Sequence, residues 1–452
     1  MNKELPEGWE WTTVVNSVDK ISTSGKKLKQ KDYLEEGNLP VVDQGQLEVG
    51  GYTNLENLRI RVDTPVIVFG DHTKVFKYIN YDFVPGADGI KILKPLGFYN
   101  PKLFFYFLQF VNIPDKGYAR HFQYLEKAFI PLPPLAEQQR IVNKIEELFT
   151  NLDKGIEYLK TAQAELRLTR QSVLKYALEG KLTEDWREKH KDEIEPASVL
   201  LEKIKAERKK EGKYKSVLPF DTSSLQNLPK GWVWTTVANS VDKISTSGKK
   251  IKQKDYLQEG SIPVIDQGQL EVGGYTNLED LKISVDTPVI VFGDHTKIFK
   301  YIIYDFVPGA DGIKILKPLD LYNPKLFYYL LNVTKLPNKG YARHFQFLEK
   351  ATIPLPPLAE QHQIVEVIEN YYSILDNMET TISQSLNQTS GIRQSILKKA
   401  FEGRLVPQDP NDEPASVLLE KIKADKSKSE KEKISEKRNR FIKEKYRQLR
   451  ID

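Results

Sequence analysis

The chain is written twice. Gly8-Trp9 returns as Gly231-Trp232, and IPLPPLAEQ at 130–138 returns at 353–361, both 223 residues on. Positions 8–138 align with 231–361 without a gap and differ at 24 of 131 places. RQSVLKYALEGKL at 170–182 matches RQSILKKAFEGRL at 393–405 at the same offset. EPASVLLEKIKA at 195–206 then matches 413–424 at an offset of 218, so the second copy is five residues shorter just before it. Solenoid units run to roughly 45 residues at most, so this period marks a whole module duplicated. With 452 residues the chain has room for about three domains of ~150 residues.

Each module begins with a globular part of mixed strands and turns. VVDQGQLEVGGYTN (41–54) has short apolar runs broken by Gly-Gly and Asn. TPVIVFGDHTKVFKYI (64–79) reads as two strands across a Gly-Asp-His-Thr turn, which predicts a hairpin. VPGADGIKIL (84–93) is a turn followed by a strand. NPKLFFYFLQF (100–110) is apolar at helical spacing, with Asn-Pro as its start signal.

A proline hinge follows, Pro131-Leu-Pro-Pro134, which cannot be helical throughout. Beyond it Ile141, Ile145, Leu148, Leu152, Leu159, Ala162, Leu166 and Val173 keep a 3,4 spacing. The second copy offers Ile364, Ile368, Tyr371, Leu375, Met378, Ile382, Ser385, Ile392 and Ile396. Sustained heptads predict coiled coil. Gly180 and Gly403 stand where a helix would stop. Each helix should be about 45 residues, roughly 65 Å long. The two helices are each other's obvious partner, in antiparallel sense. A parallel pair needs a linker that returns along the full helix length, and two helices each packed on its own domain is the remaining alternative.

The expected fold class is therefore α+β, two repeated domains of mixed strands and helices separated by a long antiparallel two-helix coiled coil. The boundaries read as a first globular domain at 1–134, a spacer helix at 135–184, and a linker with a short charged helix at 185–227. The second domain spans 228–357, its spacer helix 358–407, and a charged helical tail 408–452.

Much chemistry is excluded. The chain has no cysteine, hence no disulfide, no Cys-zinc site and no thiol nucleophile. No phosphate loop, G-x-G-x-x-G, H-E-x-x-H or G-x-S-x-G motif occurs. Tyr99-Asn100-Pro101 resembles only superficially the Asn-Pro-Pro-aromatic motif of amino-methyltransferases, because Lys102 replaces the second proline. The sequence reads as a recognition or scaffold protein, not an enzyme. No apolar run approaches the ~20 residues of a membrane span. The opening MNKELPEGWEW has no apolar leader core, so a cytoplasmic address is expected. The net charge of +5 is uninformative, since residues 425–452 alone carry 11 basic against 6 acidic side chains. Residues 1–130 are neutral, with 16 of each sign. Any nucleic-acid contact must come from local clusters.

Four such clusters stand in each globular part. Lys26 and Lys27, in the loop Thr23–Lys31, suit phosphates. Gln44 and Gln46 lie in a turn, and glutamine pairs bidentately with adenine. Asp71, His72, Thr73 and Lys74 form the hairpin tip. Arg120, His121 and Gln123 offer arginine for guanine and glutamine for adenine. The second copy repeats them as Lys249 and Lys250, Gln267 and Gln269, Asp294, His295, Thr296 and Lys297, and Arg343, His344 and Gln346. A lysine-rich loop also fits a plain solvated surface. Gln44 could cap its turn, Asp71 could stabilise the hairpin, and Arg120 could pair with Glu126.

The pattern of Leu5-Pro-x-Gly-Trp9 and Leu228-Pro-x-Gly-Trp232, the doubled Ile-Pro-Leu-Pro-Pro-Leu-Ala-Glu-Gln hinge, the long helices, and Pro-Ala-x-x-Leu-Leu at 196–201 and 414–419 resembles the specificity subunit of type I restriction–modification systems. The resemblance covers nearly the whole chain. It implies two target recognition domains, an antiparallel helical spacer and no catalytic residues of its own. Implied partners are double-stranded DNA, two methyltransferase subunits that methylate adenine at N6, and two restriction subunits. S-adenosylmethionine, ATP and magnesium would belong to those partners, with no cofactor held by this chain. The helices, from Gln138–Arg140 onward, are the expected docking surface. Members of that family commonly carry two different recognition domains. Here they are near-copies, which predicts a gapped palindromic target. Lys282 and Ser284 replace Arg59 and Arg61 and could break that symmetry. The alternative is a stand-alone sequence-specific DNA-binding regulator or architectural protein.

Overall fold

The computed structural model describes residues 4–86, 89–117, 119–214, 227–309, 312–337, 340 and 342–421. The part of the charged tail beyond 421 lies outside them. In the first globular domain the strands are β1 Glu10–Thr13, β2 Val18–Ile21, β3 Leu39–Val42, β4 Gly51–Thr53, β5 Val66–Gly70, β6 Phe76–Ile79, β7 Val84–Pro85 and β8 Ile90–Pro95. Helices α1 Pro101–Leu108 and α2 Phe122–Leu125, strand β9 Phe129–Leu132 and the long helix α3 Leu135–Leu178 complete it. Two helices connect the copies, α4 Glu184–Lys189 and α5 Ala197–Lys210, where a single short one was expected.

Three small sheets make the domain. The largest has the order β2-β8-β5-β6, all antiparallel. β5 is its core strand. Its sequence Val-Ile-Val-Phe-Gly is buried at every position, as an apolar run without alternation requires when both faces are covered. β5 and β6 form the expected hairpin. A second sheet, β4-β3-β7, pairs β3 antiparallel to β4 and parallel to β7. The third joins β1 to β9. It brings the start of the domain beside the hinge. α1 starts where Asn-Pro predicts. The Asn100 carboxamide accepts from the Lys102 and Leu103 N–H groups at 2.9 and 3.2 Å, and Pro101 needs no acceptor.

The second domain repeats this with β10 Val233–Thr236, β11 Val241–Ile244, β12 Ile262–Ile265, β13 Gly274–Thr276, β14 Val289–Gly293, β15 Phe299–Ile302, β16 Val307–Pro308 and β17 Ile313–Pro318. Then come α6 Pro324–Val333, α7 Phe345–Leu348, β18 Thr352–Leu355 and the long helix α8 Leu358–Phe401. The sheet orders are the same: β11-β17-β14-β15, β13-β12-β16 and β10-β18.

The hinge motif is a lock. Trp9 Nε1–H donates to Glu137 at 2.9 Å, and Trp232 Nε1–H to Glu360 at 2.7 Å. Gln138 is fully buried. Its amide donates to the Phe98 and Pro133 carbonyls at 3.0 Å each, and its oxygen accepts from Asn100 N–H at 2.7 Å. Gln361 does the same. Gln138 therefore fixes the helix start to the domain and is not a docking residue. Indole, carboxylate and carboxamide sit inside because each finds a partner there.

The chain forms two compact units, Met1–Leu159 with Gln384–Asp452, and Lys160–Ser383. In the first, the early part of α3 runs antiparallel to the late part of α8. Arg140 pairs with Asp412 and Asp153 with Arg393, so rising numbers on one side meet falling numbers on the other. Ile396, Leu397 and Ala400 join the core of the first domain, and the Phe401 ring packs edge-on against Phe107 and tilted against Phe110. In the second unit, Ala177, Leu178, Ala197 and Leu201 join the core of the second domain. There Arg170 pairs with Asp376 and lies over Tyr372. Each domain thus packs on the end of the other copy's long helix and on the segment after it.

α3 and α8 are 44 residues each, about 66 Å. α3 stops at Gly180, whose φ of +71° suits glycine, with Lys181 N–H closing on the Tyr176 carbonyl at 2.9 Å. The heptad reading holds at Ile141, Ile145, Val173, Ile364, Ile368, Leu375, Ile382 and Ile396, which are buried. It fails at Tyr371, Met378 and Ile392, which are exposed, while Tyr372 lies under Arg170 and Arg393 lies over Phe149. A straight helix has 3.6 residues per turn and drifts off a 3.5 repeat.

Candidate nucleic-acid interface

Three of the four clusters converge in the first domain. An open cleft of about 660 Å³ is lined by Ser22, Thr23, Ser24 and Lys27 from the first loop, Asp71 and His72 from the hairpin tip, and Arg120. Gly89 to Ile92 form its floor together with Lys20 and Ile21. Gln44 adjoins the cleft. Its side-chain oxygen accepts from His72 N–H at 3.3 Å, and its carbonyl accepts from the Thr73 hydroxyl at 2.7 Å. Gly70 permits this approach, since a Cβ there would stand 2.2 Å from Thr73 Oγ1.

Asp71 and His121 are buried and serve as the fastener beneath the cleft. The Asp71 carboxylate accepts from Phe122 N–H at 2.7 Å, its carbonyl accepts from His121 N–H at 2.8 Å, and His121 Nδ1 lies 3.0 Å from the same carbonyl. Both side chains point inward, whereas direct DNA contact needs them outward. The physical reason is the 50-residue reach between them. The Asp71 carbonyl and carboxylate tie down the backbone of His121 and Phe122 and thereby hold Arg120 at the rim. Arg120 itself is exposed, and Glu126, its expected partner, instead holds Lys20 at 2.8 Å.

The other candidates divide by environment. Lys27, Gln46, Thr73 and Gln123 are exposed. Gln123 Nε2 donates to the Arg120 carbonyl at 3.1 Å and braces that residue. Lys26 is half-buried and donates to the Arg59 carbonyl at 2.8 Å, tying the basic loop down. Lys74 has a left-handed φ of +61°, unusual for a residue with a Cβ. Its amine lies 3.3 Å from Asp115. Backbone strain of this kind clusters at functional sites.

The second domain repeats four of these hydrogen bonds. Lys249 donates to the Lys282 carbonyl at 2.8 Å, His295 N–H to Gln267 at 3.3 Å, Phe345 N–H to Asp294 at 2.7 Å, and Gln346 to the Arg343 carbonyl at 3.2 Å. Asp294 and His344 are buried, while Lys250, Gln269, Thr296 and Arg343 are exposed, and Lys297 has a φ of +62°. Position 338, where Asp115 would repeat, is asparagine.

Two residues escaped the sequence reading. Lys20 and Lys91 lie on β2 and β8, and both amines approach the Phe122 ring, at 4.7 and 5.6 Å. Lys91 has a signal in strand alternation, standing between buried Ile90 and Ile92, whereas Lys20 follows exposed Asp19 and becomes legible only when the register is known. The cleft thus gathers Lys20, Lys27, Lys91 and Arg120 within a domain of zero net charge. That is a local cationic patch suited to phosphate and base edges.

Asp43 scaffolds the Gln44–Gln46 turn from below. It accepts from Gly45 N–H at 2.8 Å and faces the buried Lys77 amine at 3.5 Å. Burial pushes the Lys77 pKa down, and the adjacent Asp43 carboxylate opposes that shift. Among the described residues no cluster of His, Asp and Glu is placed to hold a metal ion, and no helix is long and apolar enough to cross a membrane.

A type I restriction modification DNA specificity domain is matched twice along the chain, at residues 6–166 and 229–388. The sequence is 28% identical over 363 residues to the type I restriction enzyme EcoDI specificity subunit of Escherichia coli, covering 73% of this chain and 77% of that one. The fold is similar to the HsdS subunit of Thermoanaerobacter tengcongensis, with a TM-score of 0.52, 18% identity, and 89% and 99% of the two chains covered. A chain from a structure of type I R-M system assembly and conformational transition gives a TM-score of 0.56 at 17% identity, covering 89% of this chain and all of that one.

Proposed function

The chain belongs to the type I restriction modification DNA specificity family, and from that premise we propose that it reads a gapped palindromic DNA target and positions enzyme partners upon it. Specificity subunits are the non-catalytic, DNA-recognising parts of type I restriction–modification enzymes. In this reading each cleft takes one half-site inside the cell. Lys20, Lys27 and Lys91 hold phosphates, and Arg120 with Gln46 and Gln123 addresses base edges. The corresponding residues of the second domain take the other half-site in inverted orientation. The paired helices act as the ruler for the gap and as the docking surface for two methyltransferase subunits.

Those subunits bring S-adenosylmethionine and methylate adenine at N6, after the base leaves the stack. Two restriction subunits bring ATP and magnesium chemistry. The observation that carries the palindrome is the near-identity of the two domains, which share the Lys26, His72, Phe122 and Gln123 hydrogen bonds as those of Lys249, His295, Phe345 and Gln346, since like domains read like half-sites. The test is methylome sequencing with the gene intact and deleted. The expected result is a gapped palindrome carrying N6-methyladenine that vanishes on deletion. An asymmetric motif overturns the equal-half-site reading. No lost motif, together with tight binding by the isolated chain, favours a regulator without enzyme partners.

A further inference from the structure

Leu47 is the most exposed large apolar side chain among the described residues, at 74%, and its repeat Leu270 follows at 73%. A lone exposed leucine on an ordinary surface needs no explanation. Leu47 differs because the loop that carries it is held rigid on both sides and begins at the rim of the cleft. Gln44 ties the loop to the hairpin tip through His72 and Thr73. Beyond the tip, Tyr81 donates to the Glu48 carboxylate at 3.0 Å, and Gly50 N–H closes on the Val41 carbonyl at 2.8 Å. Packing beneath is tight, for a Cβ on Gly50 would stand 2.5 Å from an Asp43 carboxylate oxygen. Between these anchors Gln46 and Leu47 are exposed. The loop is a fixed finger with one amide and one isobutyl group at its tip.

That pair of groups matches one target chemistry. Glutamine recognises adenine, and thymine carries the one methyl group displayed in the major groove. A rigid apolar tip loses little conformational freedom on binding, so the methyl contact appears almost undiminished as affinity. We propose that Leu47 and Leu270 each press against the 5-methyl group of a thymine in their half-site, with Gln46 and Gln269 beside them on the neighbouring base edge. This rests on the cleft being the DNA-reading surface and adds the identity of a base feature that it reads.

The test uses the full-length chain assembled with its methyltransferase subunits, on duplexes carrying the methylated motif. Each thymine is replaced in turn by uracil, which lacks only the methyl. The expected loss is about fourfold at one position per half-site, the worth of one buried methyl, and about fifteenfold for both. The Leu47→Ala/Leu270→Ala variant should bind with the same loss and show no further loss on uracil. Indifference of the native complex to uracil at every thymine overturns the proposal, as does a uracil effect that persists in the variant. Lys27→Ala/Lys250→Ala combined with Arg120→Ala/Arg343→Ala separates the two levels. If these abolish binding while the leucines are silent, only the leucine assignment falls. If neither set matters, the DNA-reading assignment of the cleft falls with it.

Discussion

The two units close on their helices with the same geometry and opposite charge. In the unit of residues 160–383, the connection after the helix supplies the cation. Arg187 from α4 reaches the buried Glu360 at 2.8 Å, and Thr183 donates to the same oxygen at 2.7 Å. In the other unit the connection supplies the anion. Asp412 accepts from both terminal guanidinium nitrogens of Arg140, at 3.2 and 2.5 Å. Glu137, the repeat of Glu360, keeps its Trp9 bond, but its Oε1 is buried with no hydrogen-bond partner among the described residues. The cause is visible in the sequence. The five-residue shortening falls between 405 and 413, where the first copy carries Thr183 and Arg187. Near-identity in the core therefore coexists with a different electrostatic solution at the joint, and a buried carboxylate is costly unless paired.

Removing Arg187 should give the largest effect. Arg187→Met leaves Glu360 charged inside the protein, a loss of about 3 kcal/mol from that unit. Asp412→Ala in the other unit leaves Arg140, which is 37% exposed, free to turn to water. It should cost about 1 kcal/mol or less. Hydrogen exchange read peptide by peptide resolves the two units separately. Equal losses in both would break the comparison.

Glu137→Gln should act in the opposite direction. Burial holds the Glu137 carboxyl above the ordinary value of 4.5, against the Trp9 hydrogen bond and the Arg140 charge. The folded state therefore binds this proton more tightly than the unfolded chain does. Its contribution to stability is full below about pH 4.5 and is lost as pH rises through the raised value. The amide keeps an acceptor for Trp9 and carries no charge. The variant should protect its unit better at pH 7, by about 1 kcal/mol, and flatten that pH dependence. Glu360→Gln breaks the Arg187 pair and should weaken its own unit. A Glu137→Gln unit that loses protection at pH 7 would contradict the unpaired-carboxylate account.

These joints also mark where the sequence stops being legible. The duplication, the hairpin across Gly70–Val75, the helix begun by Asn100-Pro101 and the stops at Gly180 and Gly403 follow from local rules of turn, cap and periodicity. The convergence of the basic loop, the hairpin tip and Arg120 does not, because strands distant in the chain bring them together. Lys20 and Lys91 need the register of β2 on β8. Asp71 and His121 looked like surface chemistry, since nothing local shows that residues 50 apart fasten each other. The hinge motif reads as a chain break until Trp9, 128 residues from Glu137, is seen to close on it.

The smallest expected effect concerns the positions where the copies differ near their clefts. Arg59 pairs with Glu56 at 2.6 Å and Asp82 at 3.5 Å, and Lys282 pairs with Glu279 at 3.1 Å and Asp305 at 3.6 Å. The substitution keeps one cation between the same two carboxylates. Arg61 and Ser284 are exposed, and any effect there is a single screened charge. Asp115 beside Lys74 is exposed as well. Converting the first domain to the second with Arg59→Lys, Arg61→Ser and Asp115→Asn should shift affinity by about twofold or less. It should leave the methylated motif unchanged and, because the cation lost at Arg61 is offset by the anion lost at Asp115, leave the salt dependence nearly unchanged as well. A changed motif would mean that one of these side chains touches a base, and the two domains, which share the hydrogen bonds of Lys26, His72, Phe122 and Gln123, would then read different sequences.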